Sequence, residues 1–263
     1  MRRLEGLEVE VGGEGEPVLL VHGSHVAEAM RPLARESALA DRHRLVRYHR
    51  RGFAGSDPRR APPSVAAEAR DAVALLAALG IERAHVVGHS YGAVVAIELA
   101  LQAPRAVGSL VLLEPPLRPP GAPPGPGMLA PALERYRAGD AAGAVDAFMS
   151  MVGGPEWRAA VERRAPGGPA QAERDAATFF EAELPALQAW SFDAARAAGI
   201  GQPVLFLTGG ESGPRFEAPG RFFASAVPQT EELTLPGLDH LLPLRDPARV
   251  AAATAAFLAR HPL

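Results

Sequence analysis

One serine stands in a setting that could make it a nucleophile. Residues 86–93 read Val-Val-Gly-His-Ser-Tyr-Gly-Ala, so Ser90 lies in a Gly-x-Ser-x-Gly pattern. An apolar run typical of a strand precedes it and an apolar run typical of a helix follows it. A tight turn between the two would hold the hydroxyl clear of the sheet, and Gly88 and Gly92 would leave room for that turn. The alternative is that Ser90 only caps the helix.

A serine nucleophile needs a base, and His240 is the best placed of the eight histidines. It follows the last expected strand, 231–235, and precedes the last expected helix. This order puts it at the carboxyl edge of the sheet, where Ser90 must also lie. His43 and His49 flank a short expected strand rich in arginine, and we interpret them as surface or loop residues.

A second motif could stabilise the negative charge that develops in the reaction. Residues 20–24 read Leu-Val-His-Gly-Ser, which is the end of a buried strand followed by a loop. We expect the backbone N–H groups of Ser24 and Tyr91 to form an oxyanion hole. His22 is interpreted as a structural residue that holds this loop.

Strand-length apolar runs alternate with helical patterns along most of the chain. This indicates an α/β fold, with a mostly parallel central sheet and helices on both faces. Strands are predicted at 4–11, 17–21, 44–48, 84–87, 108–113, 202–208 and 231–235, and helices at 27–39, 64–79, 91–103, 216–226 and 246–260. Seven prolines between 115 and 128 predict a loop or hinge, and 129–199 has a helical pattern throughout. We therefore expect a core of residues 1–114 and 202–263 with an inserted all-helical cap, 115–201.

These motifs resemble the α/β-hydrolase superfamily, in its cap-bearing, serine esterase-like branch. The resemblance covers His22-Gly23, the stretch 48–56 (Tyr-His-Arg-Arg-Gly-Phe-Ala-Gly-Ser), the Ser90 motif, and Gly-Leu-Asp-His at 237–240. It implies the α/β-hydrolase fold with a Ser–His–acid triad, and it implies that 48–56 is a structural loop. Dehalogenases and epoxide hydrolases of the superfamily carry an aspartate where this chain has Ser90, so those two reactions are disfavoured.

The acid of the triad departs from the family pattern. Members usually carry an aspartate in Gly-x-x-Asp after the strand that follows the cap, but residues 209–214 read Gly-Gly-Glu-Ser-Gly-Pro. Glu114 is the leading candidate, because it ends a strand expected beside the nucleophile strand and because some cap-bearing relatives carry their acid there. Glu211 is the second candidate. The third possibility is that neither of these residues serves.

We expect hydrolysis of a small or medium carboxylic ester or lactone through an acyl-serine intermediate. Carbon–carbon bond hydrolysis and cofactor-free perhydrolysis would use the same triad, and a non-catalytic small-molecule binder on a degraded hydrolase fold is an alternative of another class. Large apolar residues of the cap are expected to form mostly its own core, with a minority lining an apolar pocket. They are Met128, Phe148, Met149, Met151, Trp157, Phe179, Phe180 and Trp190.

Composition limits the remaining classes of function. The chain has no cysteine, which excludes thiolate nucleophiles, disulfides and cysteine-bound zinc. His85 and His89 would form a metal pair only on a helix, and they lie on a strand and its turn, so we do not expect them to bind a metal. The acyl-serine mechanism needs neither a metal nor an organic cofactor, and we expect none. The net charge of −3 with no long run of one sign predicts no nucleic-acid or membrane partner. No signal peptide or membrane span is evident, so we expect a cytoplasmic protein with a small, apolar, ester-like substrate.

Overall fold

An eight-stranded sheet runs through the computed structural model, which describes residues 1–59, 62–118 and 127–263. Its strands are β1 Arg2–Leu4, β2 Leu7–Gly12, β3 Glu16–Val21, β4 His43–His49, β5 Ala84–His89, β6 Val107–Leu113, β7 Val204–Gly209 and β8 Thr230–Leu235. They lie in the order β1-β2-β4-β3-β5-β6-β7-β8. Strands β3 to β8 are parallel, and β1 and β2 add an antiparallel hairpin beside β4. The prediction of a mostly parallel sheet is confirmed.

Helices cover both faces of this sheet, as predicted. The α-helices are α1 Ser37–Ala40, α2 Val65–Ala78, α3 Tyr91–Gln102, α4 Ala130–Arg137, α5 Ala141–Gly153, α6 Trp157–Arg164, α7 Gly168–Arg174, α8 Leu184–Ala189, α9 Ala194–Ala197, α10 Pro214–Ala226, α11 Leu242–Arg245 and α12 Pro247–Leu258. Short 3-10 turns lie at Leu33–Arg35, Pro104–Ala106 and Gly127–Leu129, and a π-helical turn at Thr178–Glu183. Over the described ranges, no helix combines the length and apolar character needed to span a bilayer.

Side chains of the central strands alternate between two apolar cores. On β3, Leu19 and Val21 face the core shared with α2, α3 and α10, whereas Val18 and Leu20 face the core shared with α1, α11 and α12. The same alternation continues along β5, β6 and β7. Because both faces are buried, these strands appear in the sequence as continuous apolar runs rather than as alternating ones.

Between β6 and β7 the described residues form helices joined by turns and loops, with no strand among them, and we call residues 127–197 the helical insertion. It has its own apolar core around Trp157, Val161 and Phe179, and that core includes Val26 and Leu241 from the sheet-bearing part of the chain. Of the predicted proline-rich loop, 115–118 has no helix or strand, and 119–126 lies outside the described residues. The insertion is therefore packed onto the sheet's carboxyl edge.

Two predicted elements near the start of the chain are wrong in detail. The single strand predicted at 4–11 is a hairpin, because Glu5 and Gly6 both take positive φ angles of 54° and 78°. The helix predicted at 27–39 is replaced by turns, the 3-10 turn and the four-residue α1. Tertiary contacts explain this, since the Gln171 side chain bonds the Ala27 N–H at 3.0 Å and the His25 carbonyl at 2.9 Å.

His43 and His49 are also not the surface residues that we predicted. Both are buried on β4, with 8% and 4% of their surface exposed. The β1–β2 hairpin extends the sheet beyond β4, so β4 is not an edge strand. His49 is held between two carboxylates, with Glu8 at 2.9 Å and Glu28 at 2.7 Å.

Candidate active site

Ser90 occupies a strained turn between β5 and α3. Its backbone angles, φ 53° and ψ −123°, lie in a region that costs a residue with a side chain roughly 1–3 kcal/mol. Its N–H donates to the Leu113 carbonyl of β6 at 2.8 Å, which helps to hold the turn. The Ser90 side chain makes no capping bond to α3, so the hydroxyl does not have the capping role considered above.

The two glycines of the motif are required by close backbone contacts. A Cβ on Gly88 would lie 2.5 Å from the Gly92 carbonyl oxygen and from the Ala93 Cα. A Cβ on Gly92 would collide with the backbone carbonyls of Val21 and His22. The first turn of α3 thus touches the end of β3, which brings the loop after β3 against Ser90.

His240 and Glu114 complete a hydrogen-bonded chain that begins at Ser90. The His240 Nε2 lies 2.9 Å from the Ser90 Oγ, and its Nδ1 lies 2.6 Å from the Glu114 Oε2. The other Glu114 oxygen accepts a bond of 2.7 Å from the Gly209 N–H at the tip of β7. Glu114 is fully buried and His240 is 3% exposed, so little water competes for these bonds.

Adjacent strand ends explain how residues so distant in sequence meet. Glu114 follows β6, which pairs with β5 on one side and with β7 on the other. Its φ of 48° is again a left-handed value on a residue with a side chain. Its N–H donates to the Leu207 carbonyl of β7 at 3.2 Å, which anchors that conformation. All of these residues lie at the carboxyl edge of the parallel strands, where ligands bind in open α/β sheets.

The backbone amides predicted to form an oxyanion hole also lie at this edge. Ser24 and Tyr91 line the same cavity as Ser90. Within the described ranges, neither amide N–H donates to a protein acceptor, so both donors remain available. From β3 the chain passes to β4 on one side, and β5 then lies on the other side of β3. The strand order therefore reverses between β3 and β5, where the loop after β3 faces the Ser90 turn, and ligands commonly bind at such a point.

Arg50, which the sequence did not identify as part of the site, holds the loop that carries Ser24. Its guanidinium donates to the His22 carbonyl at 3.0 Å and to the Gly23 carbonyl at 2.8 Å. The Arg50 N–H donates to the His22 Nε2 at 2.9 Å, while the His22 Nδ1 lies 2.7 Å from the Gly23 oxygen. His22 is thus bonded within the loop, and burial together with the Arg50 charge lowers its pKa well below the usual value.

A buried ion cluster joins Arg50 to the helical insertion. Arg50 contacts Glu68 at 2.6 Å and Glu183 of the π-helical turn at 2.5 Å. Arg59 contacts the same two carboxylates at 2.7 and 3.0 Å. Burial opposes ionisation of Glu68, but Arg59 and Arg50 outweigh it and lower the pKa of that carboxyl. Glu183 belongs to the helical insertion and is completely buried, whereas the two arginines belong to the sheet-bearing part of the chain. These ion pairs therefore connect the insertion to the rest of the protein.

Two aromatic side chains contact His240, Phe216 at its ring and His89 at its backbone carbonyl. The Phe216 ring stacks on the imidazole with centroids 4.0 Å apart and planes 9° apart. The His89 Nε2 donates to the His240 carbonyl at 2.8 Å. Burial, with a smaller effect from His240, lowers the pKa of His89 to about 3, so His89 stays neutral and does not add a charge beside the His240 imidazole. No local sequence pattern places Phe216 beside His240, and the sequence suggests for His89 only a metal-binding role, which its position at the end of a strand disfavours.

A cavity of about 350 Å³ opens above Ser90. Four of the eight large insertion residues singled out above contribute to its wall, namely Met128, Phe148, Met151 and Phe179. Its other described lining residues are Ser24, Ser90, Tyr91, Pro116, Leu117, Gly127, Leu129, Val152, Glu183, Leu184, Leu187, Arg215, Phe216 and His240. A separate recess of about 20 Å³ beside Ser90 has room for roughly one water molecule.

The other carboxylates considered for the site lie elsewhere. Glu211 is exposed, and its backbone N–H bonds the Leu238 carbonyl at 2.9 Å. Asp239 points away from the neighbouring His240, because its oxygens accept bonds from the Leu241 N–H and the Arg245 guanidinium. Across the described residues, no three His, Asp or Glu side chains converge in a way that could hold a metal ion.

Comparison with known proteins agrees with this architecture. A sequence profile of the alpha/beta hydrolase family matches residues 18–253. A thermophilic esterase from Thermogutta terrifontis superposes with a TM-score of 0.81 at 22% identity, covering 97% of this chain and 94% of that one. An enol-lactonase from Burkholderia xenovorans superposes with a TM-score of 0.78 at 20% identity, covering 96% of both chains. At these identities the two structures establish the fold alone.

Curated relatives match a shorter part of the chain. A protein named as a carbamate hydrolase, RutD, from Azorhizobium caulinodans is 40% identical over 108 residues, 41% of this chain and 40% of that protein. A 2-hydroxymuconate semialdehyde hydrolase from Pseudomonas putida is 36% identical over 103 residues, 38% of this chain and 37% of that protein. The chain thus spans about two fifths of the length of the curated relatives it matches.

This chain belongs to the alpha/beta hydrolase family. The resemblance drawn from the sequence motifs and the predicted fold class are both confirmed.

Proposed function

We propose that this hydrolase cleaves a small or medium carboxylic ester or lactone through an acyl-serine intermediate. The observation that carries the proposal is the bonded chain from the Ser90 Oγ through His240 to Glu114. This arrangement gives a nucleophile, a general base and an acid that orients the base. An apolar cavity that opens directly above the hydroxyl supports an organic acyl substrate.

The reaction would proceed in two halves at Ser90. His240 takes the hydroxyl proton through Nε2 as the oxygen attacks the substrate carbonyl, and the N–H groups of Ser24 and Tyr91 stabilise the oxyanion. The imidazolium, stabilised by Glu114, then protonates the leaving alcohol oxygen as the C–O bond breaks. In the second half, His240 deprotonates a water that attacks the acyl carbon, and Ser90 leaves with the proton returned to it.

We also propose that residues 115–201 act as a cap over a core of residues 1–114 and 202–263. The insertion supplies Met151, Phe179 and Glu183 to the cavity wall, so it would contact the acyl or alcohol group. The 20 Å³ recess is too small for either group, so both would occupy the larger cavity. Substrate selection would then depend on the insertion as well as on α10.

The proposed function is tested with Ser90→Ala and a fluorophosphonate probe. We expect the wild-type protein to be labelled at Ser90 and to hydrolyse p-nitrophenyl butyrate, and the variant to do neither while unfolding at the same temperature. Wild-type protein that is neither labelled nor active would favour the non-catalytic binder. Activity on a vinylogous diketone acid without activity on the ester would favour carbon–carbon bond hydrolysis instead.

A further inference from the structure

The wall of the cavity contains a cation that pairs with no carboxylate among the residues that the structure describes. Arg215, in the first turn of α10, lines the cavity together with Ser90 and His240. No Asp or Glu of the described ranges forms an ion pair with Arg215, and the sequence has no acidic residue at 60–61 or 119–126. The carboxylate of Glu183 also lines the cavity, but it is already bound by two arginines.

The protein itself uses few of the donors of Arg215. Its Nη1 donates to the Met151 carbonyl of α5 at 3.1 Å, and its Nε is buried without an acceptor among the described residues. A guanidinium has five N–H donors, so most of them are left for a ligand. Burial lowers the pKa of Arg215, and the negative charge of Glu114 partly offsets this lowering. Arginine nonetheless remains a cation at any ordinary pH.

The surroundings make this cation an effective anion receptor. Most of the described cavity wall is apolar, including Phe148, Met151 and Phe216. Beside a largely apolar wall, a pair between a guanidinium and a carboxylate meets less competition from water than the same pair in open solvent, so it is stronger there. The Met151 carbonyl fixes the guanidinium in place, which lowers the entropy lost when an anion binds.

We propose that Arg215 binds a carboxylate of the substrate, so that the esters or lactones cleaved at Ser90 carry an acidic group. The proposal rests on the proposed esterase function and narrows its substrate class. The cavity volume of about 350 Å³ limits this acidic substrate to small or medium size. The carboxylate can belong to the acyl part or to the alcohol part, and matched substrates separate these two sources.

Two pairs of esters test the proposal, each differing only in charge. Mono-p-nitrophenyl adipate and its methyl ester place the acid on the acyl side, and 4-acetoxybenzoate and its methyl ester place it on the alcohol side. We expect the wild-type protein to prefer the anionic member of one pair. Arg215→Met should lower kcat/KM for that member on the order of 10- to 100-fold, mainly through KM, and change the neutral member less than about 3-fold.

A control variant and a binding measurement make the outcome decisive. Arg221 lies on the same helix but is 67% exposed and pairs with Glu217, so Arg221→Met should leave both pairs unchanged. In calorimetry, Ser90→Ala should bind the preferred anionic ester, and adding Arg215→Met should remove that binding. If Arg215→Met slows charged and neutral esters alike, or if the wild type does not prefer the anions, the proposal is overturned while the esterase function stands. If the wild type cleaves no ester and Ser90 is not labelled, the proposed function itself fails.

Discussion

Substituting Glu114 by glutamine should nearly abolish activity, and the structure explains how. The Gly209 N–H requires an oxygen at the Oε1 position, so the amide oxygen of the new side chain will stay there and its NH₂ will face His240. The His240 Nδ1 must then accept a hydrogen bond rather than donate one. This moves the imidazole proton to Nε2, which points at the Ser90 Oγ and can no longer accept its proton.

The expected loss in kcat is about 10⁴-fold, the effect of a base held in the wrong tautomer, and corresponds to about 5.4 kcal/mol of activation free energy. The assay is steady-state hydrolysis of p-nitrophenyl butyrate, with thermal unfolding measured in parallel to show that the variant folds. Glu211→Gln is the matched control, because that side chain is exposed and should change kcat less than about 2-fold. If Glu114→Gln keeps more than a tenth of the activity, or if Glu211→Gln is the damaging change, the assignment of the acid is refuted.

Two further predictions concern stability. Burial lowers the pKa of His25 to about 3, from 6.5 in the unfolded chain. As the pH falls below 6.5, the unfolded chain therefore binds a proton at His25 while the folded chain does not. The free energy of unfolding should decrease by about 2 kcal/mol between pH 7 and pH 5 on this account. His25→Phe should remove this contribution to the pH dependence of the unfolding free energy, measured by urea denaturation. If the unfolding free energy of the variant depends on pH as steeply as that of the wild type, the explanation is wrong. Glu183→Ala should lower the free energy of unfolding by about 3–5 kcal/mol, because Arg50 loses a buried partner. The control is Glu181→Ala, which changes an exposed residue of the same turn and should lower the free energy of unfolding by less than about 0.5 kcal/mol in the same urea assay. If the two variants lose the same stability, the ion cluster does not make that contribution.

The sequence predicted the elements whose local signals agree with their tertiary surroundings. The apolar strand β5, the glycine-flanked Ser90 and the apolar helix α3 all indicate one strand-to-helix turn, and the structure contains that turn. Glu114 could be chosen as the leading candidate for the acid for a similar reason, because it directly follows a strand whose pairing with β5 could be anticipated. Chain order alone was enough to place His240 at the same edge.

The parts that were missed depend on contacts between distant residues. The segment 27–39 has a helical composition, but its backbone bonds to Gln171 of the insertion instead of forming a long helix. Arg50 lies in the stretch 48–56, which the resemblance marks only as a structural loop, and Arg59 follows that stretch. Nothing local indicates that the partner of both arginines is Glu183, more than 120 residues away. The stacking of Phe216 on His240 is equally invisible from sequence spacing.

The position of Arg50 has a consequence for exchanging parts between members of the family. One guanidinium holds the carbonyls of the loop that carries Ser24 and also the carboxylate of Glu183. The insertion is therefore not an independent module, since replacing it with a foreign segment that lacks an acid at this point would loosen the loop that carries Ser24 as well as alter the pocket. A chimeric enzyme that retains Glu183 and its turn should keep its turnover of simple esters, whereas one without them should lose turnover even on substrates too small to reach the exchanged residues.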